Sequence, residues 1–207
     1  MTRALEERQG VKLQEKFASA VAAVCGRGGL GSNIALSLAR AGIGKLILID
    51  FDQVDVSNLH RQQYKASQVG AYKTEALTAC LKEIAPYIEL ETHTVRMTEA
   101  NTVALLKDAK DADVICEAFD NAECKAMLVN IVLEQMPSKY LVAASGMAGI
   151  DSANLIQTRK VMERFYLCGD EVSEVSEAES LLSSRVMLCA AHQAHMVLRI
   201  LAGEFES

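Results

Sequence analysis

The residue types best suited to chemistry in this chain gather between Gly26 and Gln62. Gly26-Arg27-Gly28-Gly29-Leu30-Gly31 sets glycines at the spacing G-x-G-x-x-G, and Asp50 follows about 20 residues on, where a carboxylate can accept from a ribose hydroxyl. Asp52, Asn58, Arg61 and Gln62 crowd the stretch just beyond. Glycines let the chain turn sharply and bring bare backbone against a phosphate, and a helix N-terminus behind them offers unpaired N–H groups and a positive dipole end. A nucleotide is the natural occupant of such a turn.

For these groups to act together, a strand must deliver the turn and a helix must start behind it. Val21–Cys25 reads as that strand, and Leu30, Ile34, Leu38 and Ala41 recur at helical spacing with Ala35 beside them. Gly42 and Gly44 end the helix, and Lys45–Ile49 is a short apolar run of the kind found in a parallel strand covered on both faces. This is a βαβ unit, the context that lifts a glycine match above chance.

Further along, Ala71–Ala85 reads as a helix stopped by Pro86, with Lys73 in its first turn. A cation there works against the helix dipole, so a structural account gives little reason for it. Ile88–Val95 alternates like a half-exposed strand, and Thr98–Lys107 is a short helix with Thr98 as its cap. Asp113–Cys116 is a strand running into Glu117-Ala118-Phe119-Asp120-Asn121, before a helix over Ala122–Glu134. Asp120 either faces the crevice at the carboxyl end of that strand or, with Asn121, caps the helix. Tyr140–Ser145 is a strand leading into Gly146-Met147-Ala148-Gly149, Asn154–Val161 and Glu163–Leu167 are later strands, and Val186–Leu201 is a long apolar helix. Met1–Ala20 is rich in charged residues, with Val11, Leu13 and Phe17 among them, and reads as a helix or arm packed on the rest.

Composition narrows the function. Lys plus Arg is 21 and Asp plus Glu 27, a net charge of −6, with no basic run to track a phosphate backbone, so nucleic acid is an unexpected partner. With no apolar run near 20 residues and no secretion signal, we expect no membrane contact and a cytoplasmic protein. Cys25, Cys80, Cys116, Cys124, Cys168 and Cys189 include no C-x-x-C pair and read as buried, reduced thiols. His192 and His195 share a helix face but lack an acid or thiol at matching spacing, so packing or capping suits them better than a metal.

A nicotinamide dehydrogenase would use the glycine turn and Asp50 but has no need of the polar loop behind them. The doubled glycine Gly28-Gly29, the Asp-x-Asp of Asp50 and Asp52, and the Ser57-Asn58-Leu59-x-Arg61-Gln62 run together resemble the ThiF family, the adenylyltransferases of sulfur carrier proteins related to ubiquitin-activating enzymes. The resemblance implies a single α/β domain over residues 1–207, with a Rossmann-like, mixed and mostly parallel sheet and helices on both faces. It divides the chain into an arm (1–20), a nucleotide-binding core (21–150) and C-terminal strands and helix (151–207), the later strands forming an antiparallel extension.

It also implies roles. Gly26, Gly28, Gly29 and Gly31 cradle ATP, Asp50 and Asp52 belong to its site, Asn58 and Gln62 complete the phosphate contacts, and Arg61 and Lys73 supply cations. Asp120 holds magnesium on the triphosphate, and Arg8 reaches a nucleotide site across a homodimer interface. The implied reaction is attack by the C-terminal carboxylate of a ubiquitin-like carrier ending in Gly-Gly on the α-phosphorus of ATP. A ThiS-like carrier of thiamine synthesis is the first choice and a molybdopterin-synthase carrier the second; dehydration of a tRNA base is the rival within the superfamily. Relatives with structural zinc hold it through two C-x-x-C pairs, which this chain lacks, so no zinc is expected, and with no cysteine between Gly169 and Leu188 a covalent carrier intermediate is not expected either.

Overall fold

A computed structural model describes residues 2–108, 113–175 and 180–207. Strands β1 (Val21–Cys25), β2 (Lys45–Asp50), β3 (Glu89–Thr94), β4 (Val114–Glu117), β5 (Tyr140–Ala144), β6 (Gln157–Met162) and β7 (Phe165–Gly169) form one sheet in the order β3-β2-β1-β4-β5-β7-β6. Every neighbouring pair is parallel except β6 with β7. The chain is therefore a mixed, mostly parallel α/β fold, Rossmann-like, with helices on both faces. The expected antiparallel extension is one strand wide, since β7 pairs parallel with β5 and only the edge strand β6 reverses.

Burial explains which runs became strands. In β1, β2, β4 and β5 almost every residue is buried, which suits near-continuous apolar sequence with helices on each side. β3 lies at the edge, and its mix of exposed and half-buried residues is what the alternating sequence predicts. Helices α3 (Gly29–Ala41), α4 (Lys73–Ile84) and α7 (Ser183–Ala202) cover one face around Ile34, Leu38, Leu77 and Val197. Helices α5 (Glu99–Asp108) and α6 (Ala122–Gln135) cover the other around Leu106, Leu128 and Val132.

The N-terminal region is two helices, α1 (Thr2–Gln9) and α2 (Val11–Ser19), broken at Gly10, where φ is +90°. They pack at the amino ends of the strands: Gln14 Nε2 donates to the carbonyl of Gly42, and the amide of Gly44 donates to the carbonyl of Phe17. α7 begins three residues before the expected Val186, because the polar Ser183, Ser184 and Arg185 continue the turn that the apolar periodicity does not mark. Between Gln62 and α4 lies a single-turn helix, Ala66–Gln68, and another, Val56–Asn58, precedes it. The six cysteines are free; Cys124 is half-buried, the other five buried, and burial pushes the Cys25 thiol up to about 12. In the connection between β7 and α7, residues 176–179 lie outside the described residues. Among the described residues no helix is long and apolar enough to cross a membrane.

Candidate functional site

The carboxyl ends of β1, β2 and β4 open on a cleft, as expected of a parallel sheet where the strand order reverses about β1. The turn after β1 forms its floor. Gly26 has φ +92°, and a Cβ there would stand 2.6 Å from the carbonyl oxygen of Ala118 in the β4–α6 loop. A Cβ on Gly31 would stand 1.9 Å from the carbonyl oxygen of Gly26, so this glycine lets α3 close on the turn. Gly28 differs: a Cβ would meet only Gln62 Nε2, at an ordinary 3.7 Å. Packing does not demand a glycine at 28, and its absent side chain leaves bare backbone at the cleft, next to the N-terminus of α3.

On one side stands the buried Asp50. Its Oδ2 accepts from the amide of Arg27 at 2.5 Å and its Oδ1 from the amide of Asp52 at 2.7 Å, which locks the carboxylate between the two turns. Burial pushes its pKa up, opposed by the Asp52 amide and the charge of Lys73. Lys73, at the start of α4, is 5% exposed and pairs with Asp52, Nζ to Oδ2 at 2.8 Å. Its amide also donates to the Asp52 carbonyl, the Val54 amide donates to the Ala71 carbonyl and the Gly70 amide to the Val54 carbonyl, which folds the intervening loop back on itself.

Opposite, Asp120 is exposed at the cleft, while Asn121 caps α6 by accepting from the amide of Cys124 at 2.9 Å. Below them Glu117 is fully buried at the end of β4. It pairs with Lys125 at 2.9 Å and accepts from the amide of Phe119 at 2.7 Å, so it anchors the loop that carries Asp120. Burial raises its pKa against the pull of Lys125.

Asn58, Arg61 and Gln62 flank the glycine turn from the α3 side. Arg61 Nη2 donates to Asn58 Oδ1 at 2.8 Å, its side chain packs beside Gly29, and the buried Gln62 has an Oε1 without a partner among the described residues. The loop is sewn to α3: Asn33 Nδ2 donates to the carbonyls of Gly29 and Arg61, Ser32 Oγ accepts from the amide of Gln63, and the Tyr64 hydroxyl donates to the Arg27 carbonyl.

The fold thus brings Gly26, Gly28, Asp50, Asp52, Lys73 and Asp120 onto one cleft, with Asn58, Arg61, Gln62 and Gly29 adjoining and Gly31 beneath the turn. Arg8 does not join them: it is exposed on α1, in the arm at the opposite ends of the strands. Sequence reasoning missed Glu117, a charge closing an apolar strand, and Arg27, a long cation inside a glycine turn. It also missed Arg96, whose guanidinium lies 5.4 Å from the ring centre of the exposed Phe51 at the cleft edge.

The chain matches the model of the ThiF family over residues 2–207. It belongs to the ThiF family. As a member, it is 39% identical over 120 residues to an adenylyltransferase and sulfurtransferase MOCS3 of Anopheles gambiae, covering 58% of this chain and 26% of that protein. It is 28% identical over 198 residues both to the adenylyltransferase and sulfurtransferase UBA4 of Lodderomyces elongisporus (93% of this chain, 42% of the relative) and to the ubiquitin-like modifier-activating enzyme 5 of Xenopus laevis (91% and 49%). The chain spans between a quarter and a half of these relatives' length. In structure, this ThiF-family chain superposes on the E. coli tRNA N6-threonylcarbamoyladenosine dehydratase TcdA, solved with ATP, with a TM-score of 0.85 at 21% identity, covering 97% of this chain and 93% of the other. E. coli MccB gives 0.72 at 20% identity, covering 98% and 65%. At these identities the structures support the fold.

Proposed function

We propose that this chain, as a single adenylation domain, activates the C-terminal carboxylate of a small ubiquitin-like sulfur carrier ending in Gly-Gly, using ATP and releasing pyrophosphate. The observation that carries the reading is the convergence on one cleft of a bare glycine turn at a helix N-terminus, a backbone-locked carboxylate at Asp50, and a cation and acid at Lys73 and Asp120. The relatives named for ubiquitin-like modifier activation and for adenylyltransferase activity support the partner class. A ThiS-like carrier is the first candidate and a molybdopterin-synthase carrier the second.

In this reading Asp50 and Asp52 form the ribose end of the site, and the turn amides take the phosphates. Asn58, Arg61, Gln62 and Lys73 draw the anionic triphosphate and the anionic carboxylate into line. A carboxylate oxygen of the carrier bonds to the α-phosphorus, and the bond to the bridging oxygen breaks with its electron pair leaving on pyrophosphate. The attacking carboxylate is already ionised, so no side-chain base is required; the work is positioning and charge neutralisation. Among the described residues no three His, Cys, Asp or Glu side chains cluster to hold a metal. The exposed carboxylate of Asp120 would hold magnesium delivered with the nucleotide. Bound there, magnesium would neutralise phosphate charge. Arg8 can act only on another copy's cleft, so its proposed role requires a homodimer. We place the activity in the cytoplasm.

The test is pyrophosphate exchange into ATP with a purified carrier and with the same carrier lacking its terminal Gly-Gly. Exchange that requires the intact tail is expected. ATP binding without exchange by any carrier would refute carrier adenylation and favour a reaction of the kind named for TcdA, against which the net charge of −6 counts.

A further inference from the structure

Arg61 is a half-buried cation whose stem lies along the bare backbone at the start of α3. A Cβ on Gly29 would stand 3.5 Å from its Cγ and Cδ, and 2.7 Å from Val186 Cγ1 of α7. The two ends of its guanidinium are held separately. Nη2 donates to Asn58 Oδ1 at 2.8 Å, and Nη1 lies 3.3 Å from Nε2 of His60, an exposed side chain that no step of the proposed reaction uses.

The His60 ring has three polar neighbours for two nitrogens. Nδ1 is 3.0 Å from the carbonyl of Ser57, while Nε2, besides facing Arg61, is 3.2 Å from the carbonyl of Leu181 in the connection between β7 and α7. A carbonyl only accepts and a guanidinium only donates. With its hydrogen on Nδ1, the neutral ring donates to Ser57 and leaves Nε2 bare to accept from Arg61. With the hydrogen on Nε2 it serves Leu181 alone and turns an N–H against the guanidinium. Doubly protonated, it would serve both carbonyls but press a second positive charge on Arg61. The neutral ring with its hydrogen on Nδ1 is therefore the form that bonds a neighbour at each nitrogen without opposing the cation.

We propose that His60 is a positioning residue for Arg61: anchored on Ser57, it holds Nη1 while Asn58 holds Nη2, and so presents the rest of the guanidinium fork to the phosphates. A long side chain fixed at stem and head gives up its rotamer freedom before the ligand arrives, which strengthens the contact it then makes. This rests on the nucleotide reading above and deepens it.

The experiment is calorimetric binding of ATP and adenosine to the full chain and to His60→Ala, His60→Gln and His60→Asn, with Arg61→Ala and the Arg61→Ala/His60→Ala pair completing a cycle. Because His60 is exposed, its variants should melt with the parent. His60→Ala should weaken ATP about 5- to 10-fold, the scale of one hydrogen bond, and leave adenosine within about twofold. Glutamine can set an amide oxygen where Nε2 lies and should keep ATP within about twofold of the parent; asparagine reaches only as far as Nδ1 and should behave like alanine. In the Arg61→Ala background His60→Ala should cost less than about twofold, since the group it holds is gone. Equal losses with and without Arg61, equal weakening of adenosine and ATP, rescue by asparagine but not glutamine, or unchanged ATP affinity would each overturn the proposal. If the parent binds no ATP, the nucleotide reading fails and takes the proposal with it. If the parent binds ATP and Arg61→Ala binds it as tightly, the nucleotide reading stands and the proposal alone falls.

Discussion

Asp50 and Glu117 occupy matching places on either side of β1, one ending β2 and the other ending β4, and Cys25 is in register with Ile49 on one side and with Glu117 itself on the other. Burial raises the pKa of both. Their surroundings differ. Asp50 is held by the amides of Arg27 and Asp52 from two turns that border the cleft, so its carboxylate sits where a ligand can reach it. Glu117 is covered by Lys125 from α6 and ties down the amide of Phe119, so it serves the loop and not the ligand. A carboxylate at the end of a parallel strand is thus left open to a cleft or made a brace according to whether loops or a helix close over it.

The sharpest way to break this contrast is on the cleft itself. Arg61→Ala or Asp120→Ala should cut carrier adenylation by more than ~10², the scale of losing one preorganised charge-stabilising group, with an unchanged melting curve. Near-normal turnover in either would remove that residue from the chemistry. Against the brace, Lys125→Met strands a fully buried carboxylate and should lower unfolding free energy by about 2 kcal/mol in urea, below the full cost of a broken buried pair because Glu117 can take up a proton. Glu117→Gln, which keeps an acceptor for Phe119, should cost less; the reverse order would show that the charge of Glu117 is not what Lys125 serves. Smaller still, Asn121→Ala removes the cap of α6 and should cost about 1 kcal/mol in the same measurement.

Titration separates the two carboxylates most finely. A raised folded-state pKa means that protonation begins at higher pH than for an ordinary aspartate, so adenosine affinity should weaken as pH falls through that raised range. Adenosine carries no phosphate to confuse the curve, and an Asp50→Asn variant should bind it weakly with a flat profile. The linked stability has the opposite sense. Stability contributed by a group with a raised pKa is fully present below its unfolded value and is lost as pH rises through the folded value. Ionised Asp50 therefore costs the ligand-free protein stability at neutral pH, and an affinity that is flat in pH for the parent protein would refute its part in ribose binding.

Much of this arrangement was legible in the sequence, for physical reasons. The β1–α3–β2 unit announced itself because covered parallel strands need continuous apolar runs and a helix on a sheet needs an apolar stripe, as Lys45–Ile49 and Leu30, Ile34 and Leu38 supply. Asp50, Lys73 and Asp120 could be placed at element ends by counting along the chain. What counting cannot give is partnership across the sheet. Glu117 and Lys125 stand on one strand–helix unit, yet the end of β4 is also tied to α7, whose Gln193 donates to the Glu117 carbonyl from 76 residues away. The bonds from Ser32 and Asn33 to the loop at Arg61 likewise join residues about 30 apart that no periodicity connects. The parallel pairing of β7 with β5 was also hidden, since a strand's direction is set by its connection and not by its composition.

The Lys73–Asp52 pair has one further consequence. The lysine is held dry and aimed by its ion pair, so in the proposed reading a phosphate would have to share an ammonium that already has a counter-ion instead of recruiting a loose cation from water. The backbone bond between the two residues would hold the loop, and with it Asp52 at the ribose end, in place as that sharing is set up.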